Sequence, residues 1–359
     1  MICWIHFYSK LLNPGLQKMD RSDASIFVYA KASGMLAKSF IGQRAAKLFS
    51  VGSFGELWSL LFRSEVPGIP AELLAKKLEQ EAEKRFISQY VSLLKNYTKP
   101  DSVLVSLLRY YDFDNLKGLG AALCRKQSSL PYITDIAPYS MLHYDAWPEL
   151  DRITAGTPLA WYDTPPKSEE QQKADARLDN QYITMLFDSI EELPSEEREP
   201  VLRLLKLRFV FQNILWAIRL KVYYNMDKKD IISHLAHTGG QLSVNNEIAA
   251  PAVQILDKAV DSWNDWASWK YAYMLNPRED NALWTIDPRW LELSMRKELN
   301  RQALMKFHSY PFTAMVMVTW YMIKENELNT ICTAAETLRL DADKNQAMQF
   351  AGVSPDAAR

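Results

Sequence analysis

LLRYYDFDNLKGL (Leu107–Leu119), LKLRFVFQNILWA (Leu205–Ala217) and WYMIKENELNTIC (Trp320–Cys332) are one pattern written three times in a 359-residue chain. In each, an apolar, aromatic-rich run with helical spacing leads to an asparagine, and Asn115, Asn213 and Asn329, at the ninth, ninth and tenth positions quoted, are read as equivalent. Pro100, Pro200 and Pro311 lie upstream, where a fixed φ and a missing N–H suit the first turn of a helix. Each asparagine begins or lies within a following helix, and the first two of these helices end in cations, Arg125 and Lys126, then Arg219 and Lys221, as the carbonyl end of a helix favours. A period of roughly 100 residues exceeds the common solenoid units, so it predicts a few bulky modules and a pseudo-threefold arrangement.

Outward from these stretches the same periodicity continues. Leu74, Leu78, Ala82, Phe86, Tyr90 and Leu94 recur four apart within Ala71–Tyr97, and charged residues fill most of the other positions. Similar patterns predict helices over Ile26–Phe49, Asp101–Tyr111, Asn115–Lys126, Leu178–Ile190, Pro200–Tyr224, Ala252–Leu275, Pro288–Phe307, Pro311–Lys324 and Glu325–Leu338. Glycine is scarce, at 12 residues, and Asn-Gly or Asp-Gly hairpin signals are absent, so the expected fold class is all-α. A short amphipathic element recurs as GELWSLLFRS (Gly55–Ser64), PELDRITAG (Pro148–Gly156) and KDIISHLAHTGG (Lys229–Gly240). The proline-rich stretch 131–166 and the polar stretch 167–177 read as loops.

These marks divide the chain into an extension (1–21), three helical modules (22–113, 114–212 and 213–328) and a C-terminal helix with its tail (329–359), expected to pack near the first module. Met19 opens an alternative start, because Met19-Asp20-Arg21-Ser22-Asp23 leads straight into the patterned region.

Composition narrows the function. Lys plus Arg (42) balances Asp plus Glu (43), so no global field draws the protein to nucleic acid or to an anionic membrane. Cys3, Cys124 and Cys332 are odd in number and lack CxxC spacing, which predicts reduced thiols in a cytoplasm. No uncharged apolar run reaches the length of a membrane span. The Walker loop, the dinucleotide glycine turn and the nucleophile elbow are all missing, so no cofactor, nucleotide or nucleophile site is expected.

Four features carry alternatives. His234 and His237 stand at a spacing that could ligate a metal in a helical metalloenzyme, or could complement the carbonyl end of a helix. Asp112 and Asp114 beside Asn115 offer oxygen ligands or, since the other copies lack both acids, capping at a helix junction. Trp263, Trp266, Trp269 and Tyr273 form a stripe that is either a partner anchor or core packing. The Glu191–Glu199 turn is a solvated connection or, in a generic helical adaptor, a surface for a basic partner.

In order along the chain, FVYAKASGMLAKSFIG, YYDFDNLKGL, RFVFQNILWAIRLK, the HTGG turn and KENELNTI resemble the C subunit of V-type ATPases, whose family includes the eukaryotic d subunit. The resemblance covers about Ile26–Val353. It implies three related helical domains in a funnel or socket, one copy per complex, peripheral on the cytoplasmic face of the membrane. The implied role is a non-catalytic central-rotor connector between the central shaft subunits and the membrane rotor ring during ATP-linked proton or sodium transport. The structural repeat positions are Asn115, Asn213 and Asn329, and the candidate partner-binding residues are Trp263, Trp266 and Trp269.

Overall fold

The computed structural model describes residues 19–167, 169–239, 245–278 and 283–353. Every regular element among them is helical, and the one β-like pairing is an isolated parallel bridge between Met19 and Tyr97. The fold is therefore all-α, as the periodicity predicts. Numbered in chain order, the helices of seven or more residues are α1 (Arg21–Leu36), α2 (Phe54–Leu61), α3 (Ala71–Leu94), α4 (Ser102–Cys124), α5 (Gln171–Ile190), α6 (Ser195–Tyr224), α7 (Pro288–Ser309), α8 (Ala314–Arg339) and α9 (Lys344–Phe350). The extension through Lys18, with Cys3, together with Gly240 of the HTGG turn and the tail Ser354–Arg359, lies outside the described residues.

Local chemistry sets the helix ends. Asp20, Ser53 and Asp343 each accept the N–H of the residue three positions on, and Asp287 precedes Pro288 at the first helical position. α6 stops at Asn225, which takes the left-handed conformation at φ +48° that an asparagine tolerates better than most residues.

Several expectations need correction. The helices expected at Asp101–Tyr111 and Asn115–Lys126 are one continuous α4, and those at Pro311–Lys324 and Glu325–Leu338 are one α8. The module divisions at 113/114, 212/213 and 328/329 thus fall in mid-helix and mark no break in the backbone. Asparagine weakens a helix when its amide competes for the local backbone, but the amides of Asn115 and Asn213 are occupied elsewhere. Pro200 sits inside α6 and does not open it; the carbonyl its absent N–H leaves free belongs to exposed Glu196. The expected Ile26–Phe49 helix ends at Leu36, and a 3-10 turn follows at Gly42–Ala46. The expected Ala252–Leu275 helix breaks into short pieces at Ala250–Val253, Trp263–Trp266 and Ala272–Met274. There the Asp265 carboxylate accepts from the Ala259 N–H and the Ser262 hydroxyl, so side chains take over backbone groups that a helix would pair.

Packing turns the helices into one body. α4 and α5 run antiparallel, joined by Ser102–Glu192 at one end and Lys117–Asp179 at the other. α3 meets α8 through an aromatic layer in which Tyr90 lies 6.0 Å from Trp320 and 5.3 Å from Tyr321, ring centre to ring centre. At one end of the molecule the N-termini of α1, α4, α6 and α8 meet on charge. Arg21 binds Asp101 at 2.9 Å and Glu197 at 2.9 Å, and buried Glu197 accepts the Ala314 N–H at 2.8 Å. Carboxylates suit helix N-termini by the dipole, and Arg21 bridges the two, offsetting one of their charges.

The apolar interior falls into two clusters. The larger runs from Ala24 to Ile323. The smaller joins Leu48, Phe49, Leu57 and Trp58 from early in the chain to Ile331, Ala334, Ala335 and Met348 near its end. The two ends of the described chain therefore share a core.

Candidate functional site

Mid-helix side chains that clasp a neighbouring segment are the recurrent polar feature. Asn115 donates from Nδ2 to the Thr134 carbonyl at 2.9 Å, while its Oδ1 accepts the Thr134 N–H at 2.8 Å. Asn213 does the same to Ala236, at 2.8 Å and 2.9 Å, and also donates to the Ile248 carbonyl at 2.9 Å. A primary amide carries one donor group and one acceptor in the spacing of a peptide unit, so each asparagine replaces a strand partner for one residue. That explains why asparagine, and not aspartate, stands at both places.

The third asparagine does not take part. Asn329 is exposed, and Glu327, two positions earlier, performs the clasp instead. Its Oε1 accepts the Phe40 N–H at 2.6 Å. A carboxylate has no donor, and Lys324 supplies it, binding the Ser39 hydroxyl at 2.9 Å and pairing with Glu327. Asn115 and Asn213 hold segments that follow them in sequence, whereas Glu327 holds one near the start of the chain. Lys324 and Glu327 are 4% and 3% exposed, and burial pulls the Lys324 amine below its ordinary value against the pull of Glu327.

Asp112, three residues before Asn115, is fully buried and accepts from the Ser140 hydroxyl, the Met141 N–H and the Tyr144 hydroxyl at 2.7, 2.7 and 2.8 Å. Burial pushes its carboxyl up while these donors pull it down. It organises the loop after α4, and neither it nor Asn115 caps a helix junction as the sequence suggests, because both lie within α4. Asp114 stands apart beside Lys117 and Asp179.

The histidines also separate. His234 ends the short helix Lys228–Ser233 with Nδ1 2.7 Å from the Asp230 carbonyl oxygen. His237 lies beyond that helix and gives its backbone N–H to Asn180 at 3.0 Å, so the two do not share a helical face. Among the described residues no group of three or more His, Cys, Asp or Glu is placed to hold a metal ion. Trp266 is fully buried and donates to the Ala259 carbonyl at 2.6 Å. Trp263 and Trp269 are half-buried, set edge-on against Trp284 and Trp266 at 5.1 Å and 5.3 Å, and Tyr273 is the exposed member of the stripe.

The candidate partner surface is an open double recess between α5, α6, α7 and α8. Its two parts, of about 300 Å³ and about 1040 Å³, share Arg208, Gln212, Leu215 and Glu325. Arg208 binds Glu325 at 2.8 Å, and Glu292 holds Arg219 at 2.6 Å and Arg296 at 2.9 Å. Burial opposes the charge on Arg208, but Glu325, Tyr321 and Tyr182 more than offset it and raise its hold on its proton. Burial, aided by Asp114 and Glu325, pushes the Tyr110 phenol up to about 12. Arginines and carboxylates that line the recess are thus paired with one another across the helices. Sequence reasoning missed Lys324, Glu327, Arg208 and Glu325, because each acts across the fold and none repeats in the three stretches.

A family model described as ATP synthase (C/AC39) subunit matches residues 28–350, a span that holds all three clasps and the double recess. An uncharacterised protein of Treponema pallidum (strain Nichols) is 27% identical over 334 residues, 93% of this chain and 98% of that relative.

Proposed function

Since the chain belongs to the ATP synthase (C/AC39) subunit family, we propose that it is the non-catalytic connector of a V-type rotary ATPase, seating the central shaft on the membrane rotor ring. One copy serves each complex. It lies on the cytoplasmic face and attaches through protein contacts; among the described residues no helix is long and apolar enough to cross a membrane. Its three modules are built around α4, α6 and α8, and the recess at Arg208 and Glu325 receives the shaft.

The observation that carries this reading is the clasp of α8 on Ser39 and Phe40, with the core shared by the two ends of the described chain. A torque coupler needs a body without a loose seam. Here the load between the last long helix and the first module passes through a buried ion pair and close-packed apolar groups, which deform little. Long helices add stiffness: α6, at 30 residues, spans roughly 45 Å.

The test is capture by the tagged full-length chain from membranes of its own organism. The shaft subunits and the ring are expected to co-purify, with one connector per ring. Arg208→Glu is expected to weaken shaft capture while ring capture persists. Purification of the intact chain with neither component defeats the proposal.

A further inference from the structure

A second concave surface lies between α4 and α5, with Pro158 and Trp161 along its side and the segment His237–Gly239 bound to α5 through Asn180 and Thr184. It measures about 1100 Å³ and follows α5 from Lys173 to Glu192, roughly 28 Å of helix. That length makes it a trench for a chain segment more than a pocket for a small molecule. Charge is graded along it. Lys173 and Arg177 stand at one end, Arg109 near the middle, and Asp188 and Glu192 at the other.

The cations at the first end lack carboxylate partners. Neither Lys173 nor Arg177 makes an ion pair among the described residues, and the Arg177 guanidinium carbon lies over the Trp161 ring, 3.7 Å from its centre. Arg109 makes a long bond of 3.4 Å to the Tyr139 carbonyl and feels the Asp112 carboxylate, so the free cationic end of the trench is Lys173 and Arg177. The neighbouring acids are engaged elsewhere, Asp179 by Lys117 and Asp175 by Gln171. The ring of Trp161 holds the guanidinium in place by cation–π attraction and leaves its charge for a carboxylate to meet.

We propose that this trench docks a polypeptide segment whose charge is divided, with carboxylates lying over Lys173 and Arg177 and cations lying over Asp188 and Glu192. The mixed sign decides the class of partner. A nucleic acid or an anionic lipid surface presents phosphate along its whole length and meets repulsion at Asp188 and Glu192. A segment of divided charge meets attraction at both ends and is fixed in direction by it. The trench adjoins the larger part of the recess, with which it shares Lys173, Ala176 and Asn180, but the inference does not rest on the rotary reading, because it requires only some protein partner.

The test uses the full chain and fluorescently labelled peptides of equal length: a Glu-block/Lys-block peptide, an alternating Glu/Lys peptide of the same composition, and an all-Glu peptide. Anisotropy at low ionic strength is expected to show the block peptide bound most tightly, with affinity falling as salt is added. Reversing one end, with Lys173→Glu and Arg177→Glu or with Asp188→Lys and Glu192→Lys, is expected to weaken it about tenfold. Reversing both ends is expected to restore binding, because the peptide turns around. All of these residues except Arg109 are exposed, and far-ultraviolet circular dichroism is expected to show unchanged helix content in the swapped variants. The proposal is overturned if the block peptide does not bind, if the four-fold swap fails to restore it, or if the all-Glu peptide binds as tightly.

Discussion

Glu327→Ala tests the seam between the last long helix and the Ser39–Phe40 segment. The carboxylate accepts the Phe40 N–H at 2.6 Å and neutralises buried Lys324. Truncation strands the N–H, at about 1–3 kcal/mol. It also leaves Lys324 with the Ser39 hydroxyl alone. Breaking a buried pair by removing one partner costs about 3–5 kcal/mol, and the amine has one escape, which is to lose its proton. From an ordinary value of 10.5, neutralising it near pH 7 costs about 5 kcal/mol at about 1.36 kcal/mol per pH unit, which caps the penalty of the stranded charge. Glu327→Ala is therefore expected to destabilise the protein by about 3–5 kcal/mol, whereas Lys324→Met with Glu327→Gln, which keeps an acceptor for Phe40, returns to within about 2 kcal/mol of the parent. The sign of the pH effect follows from burial. An amine depressed in the folded state binds its proton less tightly than in the unfolded chain, so stability rises with pH up to 10.5. The deficit of Glu327→Ala is expected to shrink from pH 7 toward pH 10. Urea unfolding followed by circular dichroism measures all of this. A single variant within about 1 kcal/mol of the parent, or a double variant no better than the single, refutes the reasoning.

Three other outcomes are expected. A Cβ at Gly120 would stand 2.1 Å from the Tyr162 hydroxyl oxygen and 3.0 Å from its ring, so Gly120→Ala should lower the melting temperature by the equivalent of about 1–3 kcal/mol, and Tyr162→Phe in the same chain should recover part of it. Asn213→Ala leaves the Ala236 N–H and two carbonyls without their partner and should cost about 2–4 kcal/mol, while Asn329→Ala, at an exposed position, should change stability by less than about 0.5 kcal/mol; thermal unfolding distinguishes them. Burial, with Asp114 nearby, pushes the Glu83 carboxyl above its ordinary 4.5 against the donors Thr134 and Tyr132, so its ionisation weakens the fold as pH rises through that raised value. Glu83→Gln stays neutral, and its melting temperature relative to the parent should climb from pH 4 to pH 7; a flat difference contradicts this.

Helical periodicity and the absence of strand signals made the fold class legible in the linear chain, because burial of one helix face leaves a local trace every three to four residues. Asn115 and Asn213 were visible for a related reason: each amide binds both backbone groups of one residue in a following segment, and that shared task selects the same side chain twice. Their role was not visible, since a mid-helix asparagine looks like a break until the residue that occupies its amide is known, and Thr134 and Ala236 lie 19 and 23 residues away. The third clasp was misplaced by two residues. Sequence register favoured Asn329, but the chemistry had been divided between Lys324 and Glu327, and their target lies 287 residues from Glu327.

The helical class, the recurrence and the family likeness could all be read from the linear chain, being carried by local or ordered patterns. Folding in three dimensions was needed to establish that α4 and α8 run unbroken, that Trp266 turns inward, that the early and late segments share one core, and that Arg208 meets Glu325. An ion pair or a clasp between distant segments constrains two positions with no fixed spacing between them. Hydrophobic burial along a helix imposes a spacing on every turn.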